Sequence, residues 1–176
     1  MSNETLEVHG SLIQGYAQAC INLNIIAGKA AIDTFSNINL NDWYPLSKWT
    51  ELERIVISSY KNSGPIMQRV GIEMMRGWYH FGPGKSLIKN GVDFLHFQTG
   101  AKGYFSVVKG TKELVGKFEL TLITPKEGKA IIESTTPFNK GMEQGVLIGG
   151  MLAPGDLDYV DAKISADNTH IEIEFH

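Results

Sequence analysis

The side chains here that could hold a metal or move a proton are few and widely separated. Five histidines stand at His9, His80, His96, His170 and His176, and Cys20 is the one cysteine. A lone cysteine excludes an internal disulfide and a thiolate metal cluster. No Cys/His set has zinc spacing, and no HExxH, GxSxG, GxGxxG or P-loop pattern occurs. His170 and His176 fall on the polar side of "HIEIEF" and are expected at the surface. His96, in "GVDFLHFQTG", has two readings. It is a candidate axial ligand to haem iron, or a helix-terminal imidazole interacting with the negative end of the helix dipole. The acidic residues of "ELVGKFE" and of the last hairpin are expected to be solvated, so no catalytic constellation is found.

A second pattern is conformational. In "TTPFNKGMEQGVLIGGML", Gly141, Gly145 and Gly149 recur every four residues in an otherwise apolar helical run. Each interior glycine costs a helix about 1 kcal/mol relative to alanine. Residues four apart share a face, so one flank has lost its side chains and another body can approach the backbone there. Tight internal packing and a narrow ligand cavity are both compatible with this pattern. Met67, Met74 and Met142 would give such a cavity pliable walls, and Trp43, Trp49 and Trp78 rigid ones.

The elements that would position these residues follow from period. Leu12, Tyr16, Ala19, Leu23, Ile26 and Ala30 mark a helical stripe, weakened at Asn22, Asn24 and Gly28, after a short strand at 6–10. "NINLNDWYP" reads as a loop, with Pro45 in the first turn of a helix carrying Leu46, Trp49, Leu52, Ile55, Val56 and Tyr60. Pro65 opens a helix with Met67, Val70, Met74 and Trp78 inward, and a shorter helix carries Leu87, Ile88, Val92 and Leu95. From residue 100 the period becomes two. "GYFSVVKG", "GKFELTLIT" and "KAIIEST" read as strands, with Phe118, Leu120 and Leu122 on one face and a turn at "TPKEG". The glycine-rich helix follows and ends at "APGD". "DYVDAKIS" and "HIEIEF" then form a hairpin around Ala166–Asn168. Helices followed by strands imply an α+β fold, with N-terminal helices packed on a mainly antiparallel sheet and one glycine-rich helix inserted before the C-terminal hairpin.

Composition sets the broad class. The chain has 176 residues, 43% hydrophobic and 20% charged, with net charge −3, so nucleic acid is not an expected partner. No apolar run approaches the roughly 20 residues that cross a bilayer. "MSNETLEVHG" lacks the features of a signal peptide, which points to the cytoplasm.

The order of elements, with "ESTTPFNKGMEQGVLIGG", resembles the superfamily that groups 4-vinyl reductase domains, TRAPP small subunits and haem nitric-oxide-binding (H-NOX) domains. "DWYPLSKW" and "HFQTGAKGY" also resemble a bacterial family abundant in myxobacteria. The resemblance implies that residues 1–176 form a single ligand-binding domain, with a ligand buried between helices and sheet. It also implies that His96 lies near the H-NOX proximal histidine, and that the Tyr-x-Ser-x-Arg haem-carboxylate motif falls on Ile132, Ser134 and Thr136, where only the serine is kept.

The expected function is non-catalytic binding or sensing of a small, largely apolar molecule, in a regulatory role and without a cofactor. Trp49, Met74, Trp78, His96, Met142, Gly145 and Gly149 are the candidate ligand-binding residues. One alternative is an interaction or dimerisation module, working through the glycine face or an exposed Trp43–Tyr44 loop, with a second copy or a separate signalling protein as partner. The other is a haem-based gas sensor, with His96 as the metal ligand.

Overall fold

Apolar period and turn chemistry set the elements of the computed structural model, which describes residues 5–34 and 36–176. A short strand, β1 (Glu7–His9), runs directly into α1 (Gly10–Asn22). His9 caps this helix, its ring nitrogen accepting from the Ser11 N–H. Asn24, with φ of 55°, breaks the chain before α2 (Ile26–Thr34), as the run of weak helix formers predicts. The side chain of Ile26, assigned to the same apolar stripe, lies outside the described residues, as does the start of "MSNETLEVHG" at 1–4.

The stretch expected to be a loop at 37–45 contains a strand, β2 (Trp43–Pro45), paired with β1. Pro45 is the residue before α3 (Leu46–Ser58), not part of its first turn. Trp43 and Tyr44 are half-buried rather than exposed. The Trp43 ring meets His9 edge-on and lies 4.6 Å from Lys109 Nζ, and the Tyr44 hydroxyl accepts from the Asn39 N–H.

Helix α4 (Gly64–His80) carries Met67, Val70 and Met74 into the core, as its period requires. The "shorter helix" that follows is two: α5 (Gly84–Leu87) and α6 (Gly91–Thr99). Ile88 is extended between them, and Asn90 caps α6 through the Asp93 N–H at 2.8 Å.

"GYFSVVKG" departs most from expectation. Tyr104–Val107 is a helical turn, α7, and only β3 (Val108–Lys109) is extended, pairing with β1 and not with the main sheet. Buried Tyr104 explains the difference: its hydroxyl donates to the Val115 carbonyl at 2.8 Å. Val115 belongs to α8 (Lys112–Val115).

The main sheet is β4 (Phe118–Thr124), β5 (Lys129–Ser134), β6 (Val160–Ile164) and β7 (His170–Phe175), in the antiparallel order β4-β5-β7-β6. Gly128 takes the left-handed φ of 64° that closes the β4–β5 turn. The alternation predicted for β4 fails at one point. The register slips between Leu120 and Leu122, leaving Thr121 as a bulge, so Leu122 faces outward and is exposed. The inner face of the sheet is Phe118, Ala130, Ile132, Ser134, Ala162, Ile171 and Ile173.

Helix α9 (Lys140–Leu152) joins the layers, contacting α4, β6 and α6, and is buried from Gly145 to Met151. Its glycines answer the question their spacing raised. A Cβ on Gly141 would meet the Gly64 carbonyl at 3.2 Å, one on Gly145 would strike the Gln68 carbonyl, and one on Gly149 would lie 2.7 Å from Ile72 Cα. Residues 64, 68 and 72 step along α4 in fours beside 141, 145 and 149, so two parallel helices touch backbone to backbone. Gly71 returns the fit from α4, where a Cβ would lie 2.7 Å from Val146 N. The molecule is therefore α+β, with an antiparallel sheet and helices held through one glycine-lined seam.

Candidate ligand site

A cavity of about 680 Å³ opens among α1, α4, the end of α6 and the turn that precedes α7. Its volume is in the range of sites that enclose small molecules. Leu12, Met74, Trp78 and Phe97 supply an apolar wall, the last two with ring centroids 5.2 Å apart.

Gly15, Gly77, Gly82 and Gly103 line this cavity, and the two within helices, Gly15 in α1 and Gly77 in α4, differ in kind from those of α9. Among the described residues, a Cβ built on either has no heavy atom within 4 Å outside its own helix. No contact with the described residues requires glycine at these positions, and each costs its helix about 1 kcal/mol. The missing methyls leave free space, and that space belongs to the cavity. Sequence reasoning passed over both, because single glycines on helical stripes look like weak points; no sequence signal separates them from packing glycines.

The rim is polar. Gln18 Nε2 donates to Asn22 Oδ1 at 2.9 Å, and Asn22 Nδ2 donates to Glu73 Oε1 at 3.0 Å, tying α1 to α4 at one edge.

The seven candidate residues separate into groups. Met74 and Trp78 line the cavity together. Trp49 is fully buried in the core, edge-on to Tyr16 and Phe138, with its Nε1 donating to Glu53 at 2.7 Å. Met142 is a core residue, and Gly145 and Gly149 are occupied by α4. The cavity therefore lies among helices and not between helices and sheet, because α9 fills that interface. For the same reason the glycine flank is closed to a second chain.

His96 is exposed on α6 and lines a separate shallow groove with Thr99 and residues Glu119–Ile123 of β4. Haem, the group the H-NOX resemblance brings with it, needs an imidazole aimed into an enclosed slot and cations for its carboxylates. Among the described residues, the cavity lining contains no histidine, cysteine or tyrosine.

Where the resemblance places the haem-carboxylate motif, the chain supplies its own carboxylate. Ser134 Oγ donates to Glu143 Oε2 at 2.7 Å, Thr136 Oγ1 donates to the other oxygen, and Lys140 Nζ lies 2.9 Å from Oε2. Burial pushes the Glu143 carboxyl upward in pKa, against the opposing pull of Lys140 and the two hydroxyls. The residues present do not fit haem. Lys140 Nζ also stands 2.8 Å from Ser134 Oγ, a contact seen in Ser–Lys nucleophile pairs, but Ser134 is wholly buried and no substrate can reach it.

No protein-family model matches the sequence, and no curated protein does. Solved structures do resemble it. An oxygen-binding H-NOX domain related to soluble guanylate cyclases superposes with a TM-score of 0.64 at 13% identity, covering 94% of each chain. A Tt H-NOX variant gives a TM-score of 0.63 at 14% identity over 95% of this chain and 94% of its own. A structure described for modulating haem redox potential through porphyrin distortion gives 0.64 at 13% identity, again over 94% of each. At such identities the likeness is one of fold, and the chain has the fold of the H-NOX domains.

Proposed function

We propose that this chain is a non-catalytic module that binds a small, largely apolar molecule in the cavity among α1, α4 and α6, and that it senses that molecule without haem. The observation that carries this is the pair Gly15 and Gly77, two helical glycines whose absent side chains leave open space on the cavity wall. The H-NOX-like fold supports a ligand-binding, regulatory role. The wider resemblance to 4-vinyl reductase domains and TRAPP small subunits agrees with a ligand other than haem.

The neutral fluorophore phenylnaphthylamine, which brightens in apolar surroundings, tests the site. It should bind the wild type and fail to bind Gly77→Trp, whose indole would take up part of the cavity with no described atom near its Cβ. Binding unchanged in that variant would overturn the reading.

A second reading, a haem sensor with His96 as ligand, is favoured by the fold likeness alone. It predicts a Soret band on haem reconstitution that is lost in His96→Ala. The geometry of His96 and Glu143 predicts no such band.

A further inference from the structure

Among the described residues, two charged side chains line the cavity, Glu73 and Lys102, and they are not equivalent. Glu73 is satisfied within the protein: Asn22 donates to one oxygen, and the Arg76 guanidinium lies 3.9 Å from the other. Lys102, in the turn between α6 and α7, has no carboxylate partner among the described residues, whereas Lys109, Lys117, Lys140 and Lys163 each have one. The chain beyond Lys102 runs into β3, which pairs with β1, and β1 leads into α1. Lys102 lines the cavity beside Gly103, Ser106 and Val107, while Glu73 is tied to Asn22 at the end of α1. The cavity has one closed, neutralised edge and one edge with an open positive charge, with Leu12, Met74, Trp78 and Phe97 between.

On the reading that this cavity is a ligand site, we infer that its ligand is an amphipathic anion, with an apolar body against that wall and one acidic group at Lys102. A cationic ligand would be repelled by Lys102 and would find the Glu73 oxygens taken. A neutral one would leave the exposed Lys102 ammonium at the cavity edge unused.

Anilinonaphthalene sulfonate and phenylnaphthylamine share one apolar body and differ by the sulfonate, so they separate charge from shape. Lys102→Glu should weaken binding of the sulfonate about fivefold, the upper range for an exposed ion pair, and leave the neutral dye unchanged. Lys102→Arg should restore the sulfonate, and added salt should weaken the sulfonate alone. Equal affinities in Lys102→Glu and wild type, or equal losses for both dyes, would overturn the inference while the cavity stands. If the wild type binds neither dye, or Gly77→Trp binds both, the cavity itself is refuted as a site and this inference falls with it.

Discussion

At the scale of single residues, glycine has two opposite meanings in this chain, and they can be told apart by sign. Gly77→Ala adds a methyl that meets nothing and removes a flexible helical residue, so it should stabilise by up to about 1 kcal/mol. Gly145→Ala drives a methyl into the Gln68 carbonyl and should destabilise by about 1–3 kcal/mol or more. Thermal denaturation of the two variants checks this, and a shift in the same direction for both would contradict it. Glu53 provides a pH test. Burial holds its carboxyl above the usual carboxylate range, outweighing the hydrogen bond from Trp49, and the Glu143 charge adds to the rise. The folded state then binds the proton more tightly than the unfolded chain. That stabilising contribution is complete below the unfolded carboxylate value of about 4.3 and is lost as pH rises. Glu53→Gln, which keeps an oxygen for Trp49, should therefore gain stability relative to the wild type between pH 4 and pH 8. A difference in melting temperature that stays constant over that interval would show the carboxyl to be unperturbed, and one that shrinks would show it lowered, and either would contradict the expectation. Cys20 is buried and its thiol is pushed up to about 12 by burial, so a disulfide reagent at pH 8 should label it only after denaturation.

At the scale of elements, the sequence was most legible where one physical signal acted alone. The stripe of α4, the turn at Gly128 and the seam of Gly141, Gly145 and Gly149 were readable because period, left-handed φ and lost side chains each leave a direct mark. It misled where tertiary contacts overrode a local pattern. "GYFSVVKG" alternates like a strand, yet the Tyr104 hydroxyl bond to Val115 favours a helical turn. Leu122 alternates correctly on paper, and a bulge at Thr121 turns it outward. The candidate site was half legible. Met74 and Trp78 belong to a stripe that also walls the cavity. Gly15, Gly77 and Lys102 gave no signal, because empty space beside a residue has no counterpart in sequence. The α4–α9 seam predicts cooperative behaviour: Gly149→Val should loosen both helices together, seen as amide exchange rising in α4 as well as α9. Exchange rising in α9 alone would contradict a shared seam.

At the scale of the whole molecule, an H-NOX-like fold carries a chain whose Glu143 takes up Ser134, Thr136 and Lys140, and whose His96 lines a groove separate from the cavity. Fold and cofactor are separable, since a site is a set of side chains set upon a framework. The most direct test of the account is native mass spectrometry of the protein as purified, alongside Gly77→Trp. The account predicts a colourless wild type carrying a small acidic, largely apolar adduct that the folded variant lacks. A haem adduct, or any adduct held equally by both proteins, would contradict it.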